Sequence, residues 1–222
     1  MVSPSTLDRL HREIRSCTRC VDAGLLEAAA PVMSGFPDNR IMLIGQAPGV
    51  VEAERGLPFQ GRSGKLLMRW LQAAGFPSED TVRRHVYMTS ITKCFPGKAT
   101  GPGGGDRRPS GAEIALCRSH LDRQLATLRP DVIILVGGLA HARFLPGRAL
   151  SELVGRAFSM DGQPVTAGYR GGPVLLPLPH PSGASRWLND PRHQQLTDLA
   201  LRRLRRLLRP YLRAVARPQP AG

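Results

Sequence analysis

The sequence contains no run of about 18 consecutive apolar residues, so no membrane-spanning helix is expected. Met1-Val2-Ser3-Pro4 opens it without the apolar core of a secretory signal, and a cytoplasmic protein is the expectation. Lysine is nearly missing: Lys65, Lys93 and Lys98 are the only ones. Yet Lys and Arg together number 31 against 17 Asp and Glu, a net charge of +14, so arginine carries the basic character. That balance favours a polyanionic partner, nucleic acid first. Cysteine is scarce too. Cys17 and Cys20 form a C-x-x-C pair, and Cys94 and Cys117 complete a set of four. A reducing cytosol disfavours structural disulfides. A close pair plus two distant single cysteines suits tetrahedral zinc or an iron–sulfur cluster. A redox C-x-x-C belongs between a strand and a helix, whereas this one lies upstream of the first apolar strand.

At 222 residues the chain is expected to fold as one domain over 1–216, with 217–222 as a disordered tail. Short apolar runs at Ile41–Ile44, Val86–Thr92, Pro130–Gly138 and Val174–Pro179 read as buried strands. Helical spacing marks Leu7–Ile14, Lys65–Leu71, Gly111–Leu128 and Pro191–Ala216. In the last, Leu196, Leu199, Leu204, Leu207 and Leu208 are expected on one core-facing side, with arginines opposite. Phe95 to Ser110, rich in Gly and Pro, reads as a flexible insertion, and a small hairpin is expected within 145–172. Strands alternating with helices predict an α/β fold: three layers, α/β/α, around a central, mostly parallel four-stranded sheet. The turns after Ile44, Thr92, Gly137 and Pro179 all lie at strand C-terminal ends, the edge where open α/β sheets bind ligands.

The densest of these stretches runs from Ile41 to Gly64. An apolar strand gives way to Gln46-Ala47-Pro48-Gly49, then to Pro58-Phe59-Gln60, then to Gly61-Arg62-Ser63-Gly64 opening a helix. An aromatic beside a Gly-rich turn and a helix N-terminus is the layout of a ligand pocket, with backbone N–H groups suited to a phosphate or a base carbonyl.

With Gly45-Gln46-Ala47-Pro48-Gly49, Pro58-Phe59-Gln60-Gly61-Arg62-Ser63-Gly64, the four-cysteine spacing and His180-Pro181-Ser182, the chain resembles the uracil-DNA glycosylase superfamily, in its iron–sulfur (family 4) branch. The resemblance runs from about Cys17 to about Asn189. It implies that Cys17, Cys20, Cys94 and Cys117 hold a [4Fe–4S] cluster, with zinc as the alternative. It implies removal of a flipped-out base from DNA. Phe59 would stack on the base, and His180 would stabilise the charge the base acquires as it leaves. Gln46 and Ala47 would line the base, and Gly61, Ser63, Gly64 and Ser182 would grip phosphates. Arg186 and Trp187 follow where the superfamily carries a wedge loop.

The sequence departs from that pattern twice. Ser90 stands where the family's second strand ends in Asn, and a hydroxyl cannot copy a bidentate amide, so weaker or broader base selection is expected. Ala47 stands where some relatives use Asp, which leaves Glu52 as the candidate for positioning water. A covalent trap of uracil-DNA would need a reactive His in the insertion, and Phe95–Ser110 has none. A non-catalytic nucleic-acid-binding protein with a structural metal centre is the remaining alternative. The expected partner is DNA containing a damaged base, bound by a monomer.

Overall fold

The computed structural model describes residues 4–101, 104–166, 168–182 and 186–215. Strands β1 (Ile41–Gly45), β2 (Val86–Ser90), β3 (Val132–Val136) and β4 (Val174–Leu178) are buried along their whole length. All are parallel, in the order β2-β1-β3-β4. A parallel sheet covered on both faces needs apolar residues at every position, which is why these strands read as continuous apolar runs rather than alternating ones. Ile41, Leu43, Val86, Met88, Ile134 and Leu176 point to one face, packed with residues of α4 (Arg62–Ala73), α5 (Glu79–His85) and α9 (Pro191–Val215). Met42, Ile44, Tyr87, Ile133 and Leu175 point to the other, against α1 (Pro4–Arg15), α6 (Gly111–Leu128) and α7 (Gly138–Phe144). The three-layer α/β/α arrangement is therefore present, with a sheet that is wholly parallel. Pro177 is accommodated because β4 is an edge strand, where a missing N–H leaves no ladder bond unmade.

Local departures from the expected elements have physical causes. The Ser78 hydroxyl accepts from the Thr81 N–H and so starts α5, a helix that hydrophobic spacing did not mark. Among the described residues of 145–172, β-structure is confined to single bridges from Phe158 to Pro164 and to Leu175, after the one-turn helix α8 (Leu150–Leu153). On α9 the buried positions are Thr197, Ala200, Leu204 and Leu208, while Leu199 is exposed. The helix is rotated so that the small Ala200, not the leucine beside it, meets the sheet. The 95–110 stretch, expected to be flexible, is pinned by bonds from Ala99 N to Gly105 O (2.8 Å) and Arg107 N to Gly97 O (2.9 Å). Residues 217–222, expected as a tail, lie outside the described residues, as do 102–103 of the insertion.

One buried polar network crosses the α1–sheet–α6 interface. Gln124 Nε2 donates to the Tyr87 hydroxyl (2.7 Å), so the single Tyr87 hydrogen goes to His11 Nε2, also 2.7 Å away. Thr89 donates to Gln124 Oε1 at 3.1 Å, which completes the amide. His11 must accept, so it is neutral, and burial together with nearby Arg15 holds its pKa below the ordinary 6.5. The sign follows: above pH 6.5 neither folded nor unfolded His11 binds a proton, and below it the unfolded chain binds first. Stability is therefore expected to fall as pH drops below about 6.5, more shallowly in His11→Gln. Tyr87→Phe should cost about 1–3 kcal/mol at neutral pH, because it strands two buried polar groups. Urea unfolding at pH 7.5 and 5.5 measures both effects.

Candidate active site

The C-terminal ends of β1 and β2 and the turn after β4 border a cleft of about 390 Å³, within the range of roughly 300–1,000 Å³ typical of ligand pockets. It lies where the strand order reverses about β1. Gln46, Ala47, Glu52, Phe59, Gly61, Ser63, Gly64, Ser90, His180 and Ser182 all line it, so residues spread over more than half the chain meet in one place.

Phe59 is held by steric closeness. Its φ of +56° is in the left-handed region, unusual for a bulky residue and a sign of local backbone strain. That backbone lies directly on Gly64: a Cβ there would stand 2.0 Å from the Phe59 carbonyl oxygen. The ring tip rests on Gly45, where a Cβ would be 3.1 Å from Phe59 Cζ. Arg83, paired with Glu79, donates to the Pro58 carbonyl at 3.0 Å and fastens the loop to α5. Glycine at the end of β1 and glycine in the first turn of α4 are thus what allow the aromatic to reach the cleft.

The carboxylate of Glu52, on α3 (Val50–Arg55), is turned to backbone. Its Oε1 accepts from the N–H groups of Gln60 and Gly61 (2.8 Å each), and Oε2 accepts from Gly49 N at 3.1 Å. It ties the loop after β1 to the loop carrying Phe59. The Gly61 N–H, expected to face phosphate, is used here. The first-turn amides of α4 at Arg62, Ser63 and Gly64 have no side-chain cap.

Across the cleft, His180 follows β4 and packs on Gly137, whose φ is +83° and whose missing Cβ would stand 3.0 Å from the imidazole Cδ2. Burial lowers the His180 pKa, so the ring is neutral at pH 7 and carries one N–H. Ser90 ends β2, and its hydroxyl donates to the Thr92 carbonyl at 2.6 Å, leaving only lone pairs for the cleft. Trp187 is not in the cleft. It stacks on His193 at 3.6 Å with an interplanar angle of 3° and packs against the α9 side of the core. The side chain of Arg186 lies outside the described residues. Asp106, which sequence reasoning did not single out, does line the cleft. Its one sequence signal is that it is the sole acid in the 95–110 stretch.

A second pocket, behind the end of β2, is lined by all four cysteines: Cys17 after α1, Cys20 on α2 (Arg19–Asp22), Cys94 after β2 and Cys117 on α6. Burial pushes the Cys94 thiol up to about 12 and raises Cys20 and Cys117 as well. Lys93 is fully buried beside them; its N–H donates to Cys117 Sγ at 3.2 Å and its ammonium to the Ser90 carbonyl. The His120 ring also lines this pocket, and neither of its nitrogens has a partner among the described residues. Four thiols, a buried cation, an N–H aimed at sulfur and an unpartnered imidazole suit an anionic, sulfur-bound group. No three Cys, His, Asp or Glu among the described residues are gathered so as to hold a single metal ion.

A wholly parallel α/β sheet with a phenyl ring and an imidazole lining one cleft at its strand ends is the arrangement of an α/β protein with a site large enough for a small ring. Comparison with known proteins narrows the class. Residues 33–205 match the model of the Uracil DNA glycosylase superfamily. The chain is 31% identical to the Type-4 uracil-DNA glycosylase of Thermotoga maritima over 176 residues, 79% of this chain and 81% of the relative. It is 27% identical to that of Sulfurisphaera tokodaii over 203 residues, covering 91% of this chain and 84% of the relative. The chain belongs to the uracil-DNA glycosylase superfamily.

The contact between Gly64 and Phe59 is testable by stability alone. Gly64→Ala is expected to destabilise by about 1–3 kcal/mol, because backbone must move to admit the methyl group. Gly111→Ala, at the start of α6 with open space around it, should be neutral or stabilising by up to about 1 kcal/mol. Denaturant melts of the two variants check the pair.

Proposed function

We propose that the protein is a DNA-repair glycosylase that flips a deaminated base, uracil first, into the cleft and hydrolyses its N-glycosidic bond. The observation that carries this reading is that Phe59 and His180 line one cleft, the first resting on Gly45 at the end of β1 and the second on Gly137 just after β3. Flipping exposes both faces of a base, and the Phe59 ring offers one of them a stacking surface of about 1–3 kcal/mol. As the C1′–N bond lengthens, the sugar becomes oxocarbenium-like and the base accumulates negative charge. His180, neutral through burial, donates its N–H to the base carbonyl where that charge develops.

Ser90 supports selection for deaminated bases. With its hydrogen given to Thr92, it can only accept. Deamination converts a ring nitrogen acceptor into a lactam N–H donor, as in uracil N3–H or hypoxanthine N1–H. Ser90 can take that hydrogen, whereas cytosine or adenine would oppose it with a lone pair. The Gln46 amide, on the same wall, is available for a carbonyl of the base. Grip on the flanking phosphates falls to Ser182, Ser63 and the uncapped first-turn amides of α4, with Gly61 excluded by its bond to Glu52. Glu52, with three amides on its carboxylate, is assigned the loop tie rather than water positioning. Trp187, stacked on His193, is assigned to fixing α9 rather than to wedging the duplex.

In the cysteine pocket, Cys17, Cys20, Cys94 and Cys117 would hold a [4Fe–4S] cluster. Zinc needs its sulfurs within about 2.3 Å of one point, and the cysteines are not gathered that way. When bound, the cluster supplies four iron–thiolate bonds that cross-link the α1–α2 segment, the end of β2 and α6. Lys93 supplies positive charge beside it, and its N–H supports the Cys117 sulfur.

Duplexes containing uracil or hypoxanthine should be converted to abasic sites, and cytosine or adenine duplexes left intact. His180→Ala is expected to slow single-turnover release by about 10²–10³-fold. Tight DNA binding with no release from any substrate would overturn the enzyme in favour of a binder. Anaerobically purified protein should carry about four irons per chain. Cys117→Ser should lose iron and melt at lower temperature, and stoichiometric zinc in place of iron would contradict the cluster.

A further inference from the structure

Hydrolysis needs a group that orients the attacking water and takes its proton, and Gln46 and Ala47 put only an amide and a methyl where that group is sought. Among the described residues lining the cleft there are two carboxylates, Glu52 and Asp106. Glu52 holds three backbone amides. Asp106 is different. Its Oδ1 pairs with Lys98 Nζ at 2.8 Å, across the bridge that joins Lys98 to Asp106. Its Oδ2 has no hydrogen-bond donor among the described residues and faces the loop after β1, 2.8 Å from the place a Cβ would take on Gly49.

The neighbouring residue fixes this arrangement. Arg107 makes two 2.8 Å bonds to the buried carboxylate of Glu113 at the start of α6. Glu113 in turn accepts from the Ser110 N–H at 2.6 Å, which closes the capping box. A backbone anchored at Arg107 and bridged at Lys98 holds Asp106 at the cleft wall, opposite Glu52 across Gly49. Gly49 carries no side chain to fill the gap between the two carboxylates and the base-lining residues.

We propose that Asp106 is the catalytic carboxylate that binds and activates the water. This rests on the glycosylase reading above. The C1′–N bond breaks and its electron pair leaves on the base, whose carbonyl is held by His180. The water oxygen bonds C1′ as its proton passes to Asp106 Oδ2. That proton then leaves to solvent or to the departed base, so the products are a neutral base and an abasic sugar. The carboxylate comes from the 95–110 stretch rather than from the loop after β1, which explains how that loop can carry Gln and Ala.

The test is single-turnover uracil release at saturating enzyme, with DNA affinity by fluorescence anisotropy and folding by thermal melts, for wild type, Asp106→Asn and Lys98→Met. Asp106→Asn is expected to lower the rate constant about 10²-fold or more, with affinity changed no more than about threefold and the melt preserved. Lys98→Met, which breaks the ion pair and leaves the carboxylate, is expected to keep the wild-type rate constant within a few-fold. An Asp106→Asn rate equal to wild type overturns the assignment, as does an equal loss in Lys98→Met, which would make Asp106 a loop pin only. No release by the wild-type chain overturns the glycosylase reading itself, and the role of Asp106 with it.

Discussion

The cleft depends on a carboxylate that is turned away from it. Glu52 accepts from Gly49, Gln60 and Gly61, and in doing so it sets the distance between the loop that leaves β1 and the loop that presents Phe59. Charge-assisted bonds to backbone N–H groups are short and strong, and three on one carboxylate leave the two loops little freedom. The left-handed backbone at Phe59, its contact with Gly64 and the seat of its ring on Gly45 follow from that tie. Loops of a parallel α/β fold usually vary most at this edge of the sheet. Here the edge is stapled from within.

The cleft and the cysteine pocket share one stretch of chain. Ser90 ends β2 in the cleft, Lys93 passes behind it with its ammonium on the Ser90 carbonyl, and Cys94 enters the cysteine pocket. Gln46 O also accepts from Thr92 N at 3.2 Å, so the loops after β1 and β2 are joined above the sheet. Among the described residues Lys93 makes no ion pair with a carboxylate, and such a buried lysine is costly in a neutral interior. Beside four cysteine sulfurs its position is intelligible, and its second bond holds the end of β2 that carries Ser90. Groups that fix the cysteine pocket therefore also fix Ser90.

Much of the architecture was legible because its signals are local. Short apolar runs marked all four strands, three of them followed at once by Gly or Pro, and helical spacing marked α6 over the residues it occupies. The glycines at the ends of β1 and β3 had a readable position, though not a readable reason. Gly45 and Gly137 matter because Phe59 and His180 press on them, and each ring comes from a loop that periodicity does not place. The α9 face shows the same limit: leucine spacing alone pointed to Leu199, and the sheet selected Ala200.

The sequence by itself determined which segments become strands, that they run parallel, and that the chemistry gathers at their C-terminal ends. Burial on both faces and helical crossovers impose those outcomes on any chain with this pattern. Only the tertiary structure decided which polar side chains face the cleft. Glu52 was taken up by amides eight and nine residues away, Trp187 by His193, and Ser90's hydrogen by Thr92, while Asp106 arrived from a distant loop. A side chain's hydrogen-bond partners are set by where the backbone closes in space, and that closure is a property of the whole packed chain.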